Sequence, residues 1–295
     1  MFAVAAVVAA ILVSELTLRW RMPDPATDVH TPAGISIPDE RLGWRLLPHH
    51  TTIVTVANRA VAYAVDRDGH RAPSEETRID PAAPSIIFCG ESIMLGWGLA
   101  YEESIPARVA ERTGLQAIDQ AVFGYGNHQA LRRLEDELPR FGHVRAVVSL
   151  FHPLQLERNT RPWEPGFSLD GAGGLVERPA SRGFWSHVRL RVLWNQAPLV
   201  HTSDRIALAA ALLARTDARA RAAGAKSLFV VPSYGPLRLP REHAEAELAD
   251  ALFERQGLRA VIVDVDPSLR LGDPWHPNAQ GAQSIADVIV AALAR

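Results

Sequence analysis

The sequence has little of what cross-links small domains or binds structural metals. Its 295 residues include one cysteine, Cys89, so no disulfide can form within the chain. No set of cysteine and histidine residues has the spacing of a structural zinc site. Nucleotide-binding patterns are missing as well, since no GxGxxG follows the first strand of the main domain and no Gly-Lys-Ser/Thr follows a glycine-rich turn. We therefore expect neither a metal nor a cofactor.

Excess charge of one sign is also lacking. The 31 Lys and Arg residues are balanced by 33 Asp and Glu residues, and the formal net charge is −2. A nucleic-acid-binding surface needs clustered Lys and Arg, so we expect no nucleic-acid partner. Hydrophobic residues make up 47% of the chain, which excludes a disordered protein and permits one large domain with a small appendage.

The first 21 residues are predicted to form a hydrophobic anchor. Residues 1–13 are wholly apolar, and Arg19 and Arg21 follow them. No basic region precedes the run and no small-residue cleavage site follows it, which favours a membrane anchor. A cleaved signal peptide and a helix packed on the soluble domain are the alternatives. Taken alone, Arg19 and Arg21 favour a cytoplasmic position for the chain that follows, but we expect an extracytoplasmic main domain.

Residues 22–80 are predicted to form a linker followed by a small β appendage. The linker contains Pro23, Pro25 and Pro32, which are typical of irregular surface segments. The stretch from Thr51 to Val65 is β-branched and partly alternating, which predicts a short hairpin.

From residue 81 to residue 295, short apolar runs alternate with helical patterns. The predicted strands are SIIFCG, LQAIDQAVFGYG, VRAVVSLF, KSLFVVPS and LRAVIVDV. This alternation predicts an α/β fold of three layers, with a parallel sheet of about five strands between helices. Residues 160–200 interrupt the pattern with Trp163, Trp185 and Trp194 among prolines and glycines. We expect an irregular insertion there that forms a lid or a pocket wall.

Parallel sheets carry their functional sites at the carboxyl ends of the strands. The first strand ends in CGES, which places Ser92 at the opening of a helix beside backbone N–H groups. The plainer interpretation is that Ser92 caps that helix. The second strand ends in FGYGNH, where the N–H of Gly124 is placed to approach an oxyanion; a simple turn is the alternative.

The last loop before the final helix contains Asp273 and His276. At this spacing the carboxylate can accept a hydrogen bond from imidazole Nδ1, which leaves Nε2 free to take a proton from a serine. A surface turn with an incidental histidine is the alternative. Metal binding is disfavoured because no further ligand lies at suitable spacing. The loop is expected at the same sheet edge as Ser92.

Together these segments resemble the SGNH/GDSL hydrolase family over about residues 40–295. Gly90-Glu91-Ser92 is similar to the family's GDS block, with glutamate in place of aspartate, and Asp273 and His276 match its DxxH block. LGWRLLPH and DRDGHR are similar to segments that precede the catalytic domain in membrane-anchored bacterial members. The resemblance implies a flavodoxin-like α/β/α fold, a catalytic triad of Ser92, His276 and Asp273, and oxyanion donors at the N–H groups of Ser92 and Gly124.

The third block departs from the family pattern. Related sequences have Pro-Asn-Asp where this chain has Pro153-Leu154-Gln155, so the asparagine that donates to the oxyanion is replaced by leucine. Loss of one such donor typically costs about 2.7–4 kcal/mol in the transition state. Gln155 or His152 supplies the donor, or the site works with two N–H groups, or activity is weak.

These residues predict an esterase that cleaves a small-molecule or glycan ester through an acyl-serine. An O-acyltransferase that delivers the acyl group to a sugar or polymer hydroxyl is the alternative within the same chemistry. A non-catalytic binding protein on the same fold is the alternative of a different class, and Leu154 is the residue that favours it.

Overall fold

A computed structural model describes residues 2–21, 34–181, 188–190, 203–234 and 247–295. The strands, in chain order, are β1 (Ser36–Asp39), β2 (Gly43–Leu46), β3 (His50–Val56), β4 (Arg59–Val65), β5 (Arg71–Ala72), β6 (Ser85–Cys89), β7 (Gln116–Asp119), β8 (Val144–Leu150), β9 (Gly166–Leu169), β10 (Leu175–Arg178), β11 (Lys226–Ser233) and β12 (Ala260–Asp264). The α-helices with described bounds are α1 (Phe2–Arg21), α2 (Ser92–Leu95), α3 (Ile105–Thr113), α4 (Asn127–Glu137), α5 (Leu154–Arg158), α6 (Ser203–Ala222) and α7 (Ala279–Ala294).

The centre of the molecule is an eight-stranded sheet with the order β12-β11-β8-β6-β7-β5-β4-β3. The first five strands of this order run parallel to one another. Every residue of β6 is buried, as expected for a strand covered on both faces. Helices α3 and α7 pack together on one side of the sheet, and α4 and α6 on the other. The predicted three-layer α/β fold with about five parallel strands is confirmed.

Strands β3, β4 and β5 extend this sheet, whereas β1 and β2 pair with each other as a separate two-stranded sheet. Strands β3 and β4 form the hairpin that the sequence predicted, and its turn places Ala57 and Asn58 at positive φ. Strand β5 pairs antiparallel with β4 and, through Arg71 and Asp119, with β7. The antiparallel strands therefore continue directly from the parallel strands that carry the site.

Part of the segment predicted to be irregular, residues 160–200, is regular. Strands β9 and β10 form an antiparallel hairpin. Its turn is closed by Asp170, whose Oδ1 accepts hydrogen bonds from the N–H groups of Ala172 and Gly174. Such Asx geometry is a known turn signal, so the sequence contained the information. Trp185 and Trp194 lie outside the described residues.

Helix α1 is exposed along its apolar length, and among the described residues it is the one helix long and apolar enough to cross a membrane. A signal sequence has the same properties. Near its end, the Glu15 carboxylate accepts hydrogen bonds from the N–H groups of Arg189 and Leu190 at 3.1 and 3.0 Å. The helix is thereby tied to the chain that follows β10. The predicted linker lies mostly outside the described residues.

Candidate active site

Ser92 lies where the central strand β6 gives way to a short helix. Gly90 makes this turn possible, because a Cβ there would lie 2.9 Å from Cβ of Met94. Glu91 is the N-cap of α2, and its Oε1 accepts a hydrogen bond from the N–H of Ile93 at 3.2 Å. The capping role considered for Ser92 therefore belongs to Glu91. The Ser92 hydroxyl is left free for other partners.

Asp273 and His276 lie in the loop that leads into α7. Asn278 caps that helix by accepting hydrogen bonds from the N–H groups of Gln280 and Gly281. The loop is closed on itself, since the N–H of Leu271 donates to the carbonyl of His276 at 2.9 Å. This pairing fixes the backbone on which the imidazole is mounted.

The structure brings Ser92, His276 and Asp273 together in one hydrogen-bonded line. Ser92 Oγ lies 2.8 Å from His276 Nε2, and His276 Nδ1 lies 2.9 Å from Asp273 Oδ2. The residues are 184 positions apart at the first contact, so only the fold joins them. All three are partly exposed, which leaves the hydroxyl accessible. A base next to a hydroxyl, oriented by a carboxylate, is the arrangement that activates a serine nucleophile.

The Asp273 carboxylate is held in a single orientation. Its Oδ1 accepts hydrogen bonds from the N–H groups of Trp275 and His276, both at 2.8 Å, while Oδ2 faces the imidazole. Partial burial raises the pKa of Asp273, but the hydrogen bonds from His276 and Trp275 outweigh burial and lower it to about 2. The carboxylate is therefore ionised at neutral pH and keeps the hydrogen of the ring on Nδ1.

The structure places Glu91 against the serine, a contact that no sequence pattern predicted. Glu91 Oε2 accepts a hydrogen bond from Ser92 Oγ at 2.5 Å and lies 3.4 Å from Nη1 of Arg158 in α5. Arg158 also donates to the carbonyl of Tyr125 at 3.2 Å, which ties α5 to the glycine-rich turn. The substitution of Glu for Asp in the first block was the signal available for Glu91. The sequence contained no comparable signal for Arg158.

Gly124 lies in the turn between β7 and α4, as predicted. Its φ of +71° is a left-handed conformation that favours glycine. Within the described part of the chain, the backbone N–H groups of Ser92 and Gly124 have no hydrogen-bond acceptor. Two buried or partly buried donors without partners are what an oxyanion site requires.

In the third block, the apolar side chain of Leu154 is exposed and the amide side chain of Gln155 is buried. Leu154 is 41% exposed. Gln155 is buried, and its Oε1 accepts hydrogen bonds from Asn127 Nδ2 at 3.1 Å and from the His152 N–H at 2.9 Å. These two bonds fix the orientation of the amide and leave Nε2 without a partner among the described residues.

His152 offers a second unused N–H. Burial lowers the pKa of His152 to about 4, so the ring is neutral at pH 7. Its Nδ1 accepts a hydrogen bond from the N–H of Leu154 at 3.3 Å, which places the ring hydrogen on Nε2. Among the described residues Nε2 has no partner. Gln155 thus presents an NH2 group, and His152 one N–H group, without an acceptor among the described residues.

Aromatic rings surround the histidines of the site. The Trp97 ring lies 6.2 Å from the His276 ring and packs edge-on against Phe123. The Trp275 ring lies 5.1 Å from that of His152. These rings place apolar surface next to the imidazole of His276.

Arg71 fixes the segment after Ser92 from the N-terminal strands. This buried side chain donates to the carbonyls of Leu95, Gly96 and Leu99, the bond to Gly96 measuring 2.9 Å. Its guanidinium carbon lies 4.5 Å from the centre of the Tyr63 ring. The antiparallel strands therefore hold the loop that presents Trp97.

One group of side chains among the described residues has the composition of a metal site, away from Ser92. The ligand atoms of Asp66, Asp68 and His70 lie within 4.8 Å of one another. Asp66 is already engaged by the N–H groups of Asp68 and His70. The His70 ring lies between Asp66 and Glu137, at 3.3 and 3.4 Å. These contacts explain the cluster as the closure of a turn.

Comparison with known proteins finds no matching family model and no matching curated protein. Similar solved structures include an alpha/beta hydrolase enzyme from the metagenome of Lake Arreo, Spain, with 17% identity, 72% of this chain and 96% of that chain covered, and a TM-score of 0.44. A member of the lipolytic protein G-D-S-L family from Veillonella parvula DSM 2008 has 9% identity, 72% and 100% coverage, and a TM-score of 0.42. An acetyl xylan esterase from the rumen bacterium Butyrivibrio proteoclasticus has 11% identity, 77% and 67% coverage, and a TM-score of 0.41. At this level of similarity, the chemistry of the site has to be inferred from its own geometry.

Proposed function

We propose that this protein is a serine-dependent ester hydrolase with Ser92 as nucleophile, His276 as general base and Asp273 as the group that orients the base. The single observation that carries this proposal is the continuous line from Ser92 Oγ through His276 to the Asp273 carboxylate, with contacts of 2.8 and 2.9 Å. Acyl transfer is the reaction class that such a line performs.

In the proposed reaction Ser92 Oγ attacks the ester carbonyl carbon while its proton passes to His276 Nε2. The tetrahedral intermediate collapses, and the imidazolium returns that proton to the departing alcohol oxygen. Water then attacks the acyl-serine, gives one proton to His276 and releases the acid, and that proton returns to Ser92 Oγ. Asp273 stabilises the imidazolium in both halves without taking the proton.

The oxyanion of each tetrahedral intermediate would be bound by the N–H groups of Ser92 and Gly124. Leu154 cannot donate, so we propose Gln155 as the third donor, with His152 as the alternative. The amide orientation supports Gln155, because its oxygen accepts from Asn127, three residues after Gly124, and from the His152 N–H, which leaves its NH2 group free. Preorganised donors of this kind stabilise developing charge at little reorganisation cost.

The test is turnover of a short-chain aryl ester by the full-length protein in detergent. Ser92→Ala should abolish turnover and labelling by a fluorophosphonate probe, and Ser284→Ala, a serine in α7, should retain both. Turnover of Ser92→Ala at the wild-type rate would refute the proposal. Analysis of the products with and without a glycan acceptor separates release to water from transfer to a hydroxyl group.

We propose that α1 anchors the domain to a membrane and that the domain lies outside the cytoplasm, where it meets small-molecule or glycan esters. The exposed apolar surface of α1 supports the anchor. Fractionation of cells that express the full chain tests it, together with protease access to the domain from outside. Recovery in the soluble fraction would refute the anchor.

A further inference from the structure

Ser92 Oγ has one hydrogen and two neighbours that can accept it. His276 Nε2 lies at 2.8 Å and Glu91 Oε2 at 2.5 Å. A hydroxyl donates one hydrogen bond, so the hydrogen can point to only one of them at a time. The direction of this hydrogen decides whether the serine is poised for attack, because the base must receive it.

The second acceptor is rigidly held. Glu91 is 3% exposed. Its Oε1 is fixed by the N–H of Ile93 and its Oε2 by Arg158, 3.4 Å away. Aspartate at this position would be shorter by one carbon–carbon bond, about 1.5 Å, and its carboxylate would not reach the neighbouring Oγ at hydrogen-bond distance. The longer side chain is therefore what creates the contact.

The surrounding groups determine the charge of Glu91. Burial by itself raises the pKa of Glu91, but the charge of Arg158 and the hydrogen bond from the Ser92 hydroxyl lower it below its usual value. The groups near Glu91 are Ser92 on α2, Arg158 on α5, His152 after β8, Tyr234 after β11 and His276 in the last loop. An ionised oxygen 2.5 Å from a hydroxyl oxygen is at the distance of a charge-assisted bond with the hydrogen between them.

We propose that Glu91 restrains the nucleophile by holding the hydroxyl hydrogen of Ser92 away from His276 Nε2. In this resting form Ser92 donates to Glu91 Oε2. The productive form arises when the hydroxyl hydrogen turns to His276 Nε2. This inference rests on the proposed ester hydrolysis at Ser92.

The test is kcat/KM for a short-chain aryl ester at the pH of highest wild-type activity, measured on the full-length protein and on Glu91→Gln. The amide keeps the length and the cap on Ile93, and its NH2 can donate to Ser92 Oγ and direct the hydroxyl hydrogen to His276. Removal of a charge-assisted hydrogen bond that competes with the base should raise kcat/KM about tenfold.

Two further variants separate the hydrogen bond from charge and from folding. Glu91→Asp keeps the charge but withdraws the oxygen, and kcat/KM should rise in this variant as well. Glu157→Gln removes a charge from the neighbouring helix turn, where Glu157 contacts Arg161, and should leave kcat/KM unchanged. An unchanged or a lower kcat/KM in Glu91→Gln would overturn the proposal, the latter because Glu91 would then assist the reaction.

Neutron diffraction of wild-type crystals provides a readout that does not depend on turnover. A hydrogen between Ser92 Oγ and Glu91 Oε2 is expected, and its absence would overturn the proposal. Undiminished turnover in Ser92→Ala would refute the ester hydrolase instead and would leave this measurement to decide the position of the hydrogen.

Discussion

Replacement of Asp273 by asparagine tests the orientation of the base most directly. Asp273 uses Oδ1 for the N–H groups of Trp275 and His276 and Oδ2 for His276 Nδ1. In Asp273→Asn the amide oxygen is expected to keep the two N–H donors. The NH2 group then faces Nδ1, which must accept a hydrogen bond. The ring hydrogen moves to Nε2, which can no longer take the proton of Ser92.

The size of the expected loss in kcat depends on which of its two orientations the asparagine amide adopts. Turning it over would set NH2 against two backbone donors and lose two hydrogen bonds, at about 1–3 kcal/mol for each unsatisfied group. The unproductive tautomer therefore dominates. In a relay of this kind it lowers kcat by about 10⁴, which corresponds to about 5 kcal/mol of transition-state stabilisation.

The assay is the steady-state hydrolysis of a short-chain aryl ester, with KM and kcat determined separately. We expect Asp273→Asn to lower kcat rather than to raise KM, because the orientation of the His276 ring affects proton transfer. Asp266→Asn is the matched control, because Asp266 is an exposed carboxylate near the same loop that caps a turn through Ser268. A kcat for Asp273→Asn within tenfold of wild type would refute the role of Asp273.

Gln155→Met should lower kcat by about 10²–10³, the usual effect of losing one oxyanion donor, and His152→Phe should lower it far less; the reverse order in ester hydrolysis would assign the donor to His152. His70→Gln should lower the free energy of unfolding by about 1.5–3 kcal/mol, since a hydrogen bond to a charged group is lost. Burial lowers the pKa of His70, but its contacts with Asp66 and Glu137 outweigh burial and raise that pKa overall. Burial raises the pKa of Asp66 and of Glu137, but their contacts with His70 outweigh burial and lower both pKa values. The stability contributed by protonated His70 is lost as the pH rises above about 6.5, and that contributed by the two carboxylates is lost as the pH falls below about 4. Urea unfolding should therefore show the largest difference in the free energy of unfolding between these two pH values. A difference that is independent of pH would contradict this assignment.

Much of the fold could be predicted because buried strands and amphipathic helices have distinct periodicities. The β6 sequence SIIFC is apolar after its first residue, and the structure buries every residue of it. The hairpin of β9 and β10 was missed because prolines and tryptophans around it obscured two short strands joined at Asp170. The way in which β5 joins the sheet through Arg71 was also missed, since a two-residue strand is too short to show a period.

By itself the sequence determined which residue types stand at the ends of the strands, because apolar runs, glycines and caps are local signals. Ser92, Gly124, Asp273 and His276 were found in this way. Only the tertiary structure decided which side chains meet. The contact of Ser92 with His276 spans 184 residues, and that of Glu91 with Arg158 spans 67. Such contacts depend on strand order and side-chain length in three dimensions, which no local pattern records.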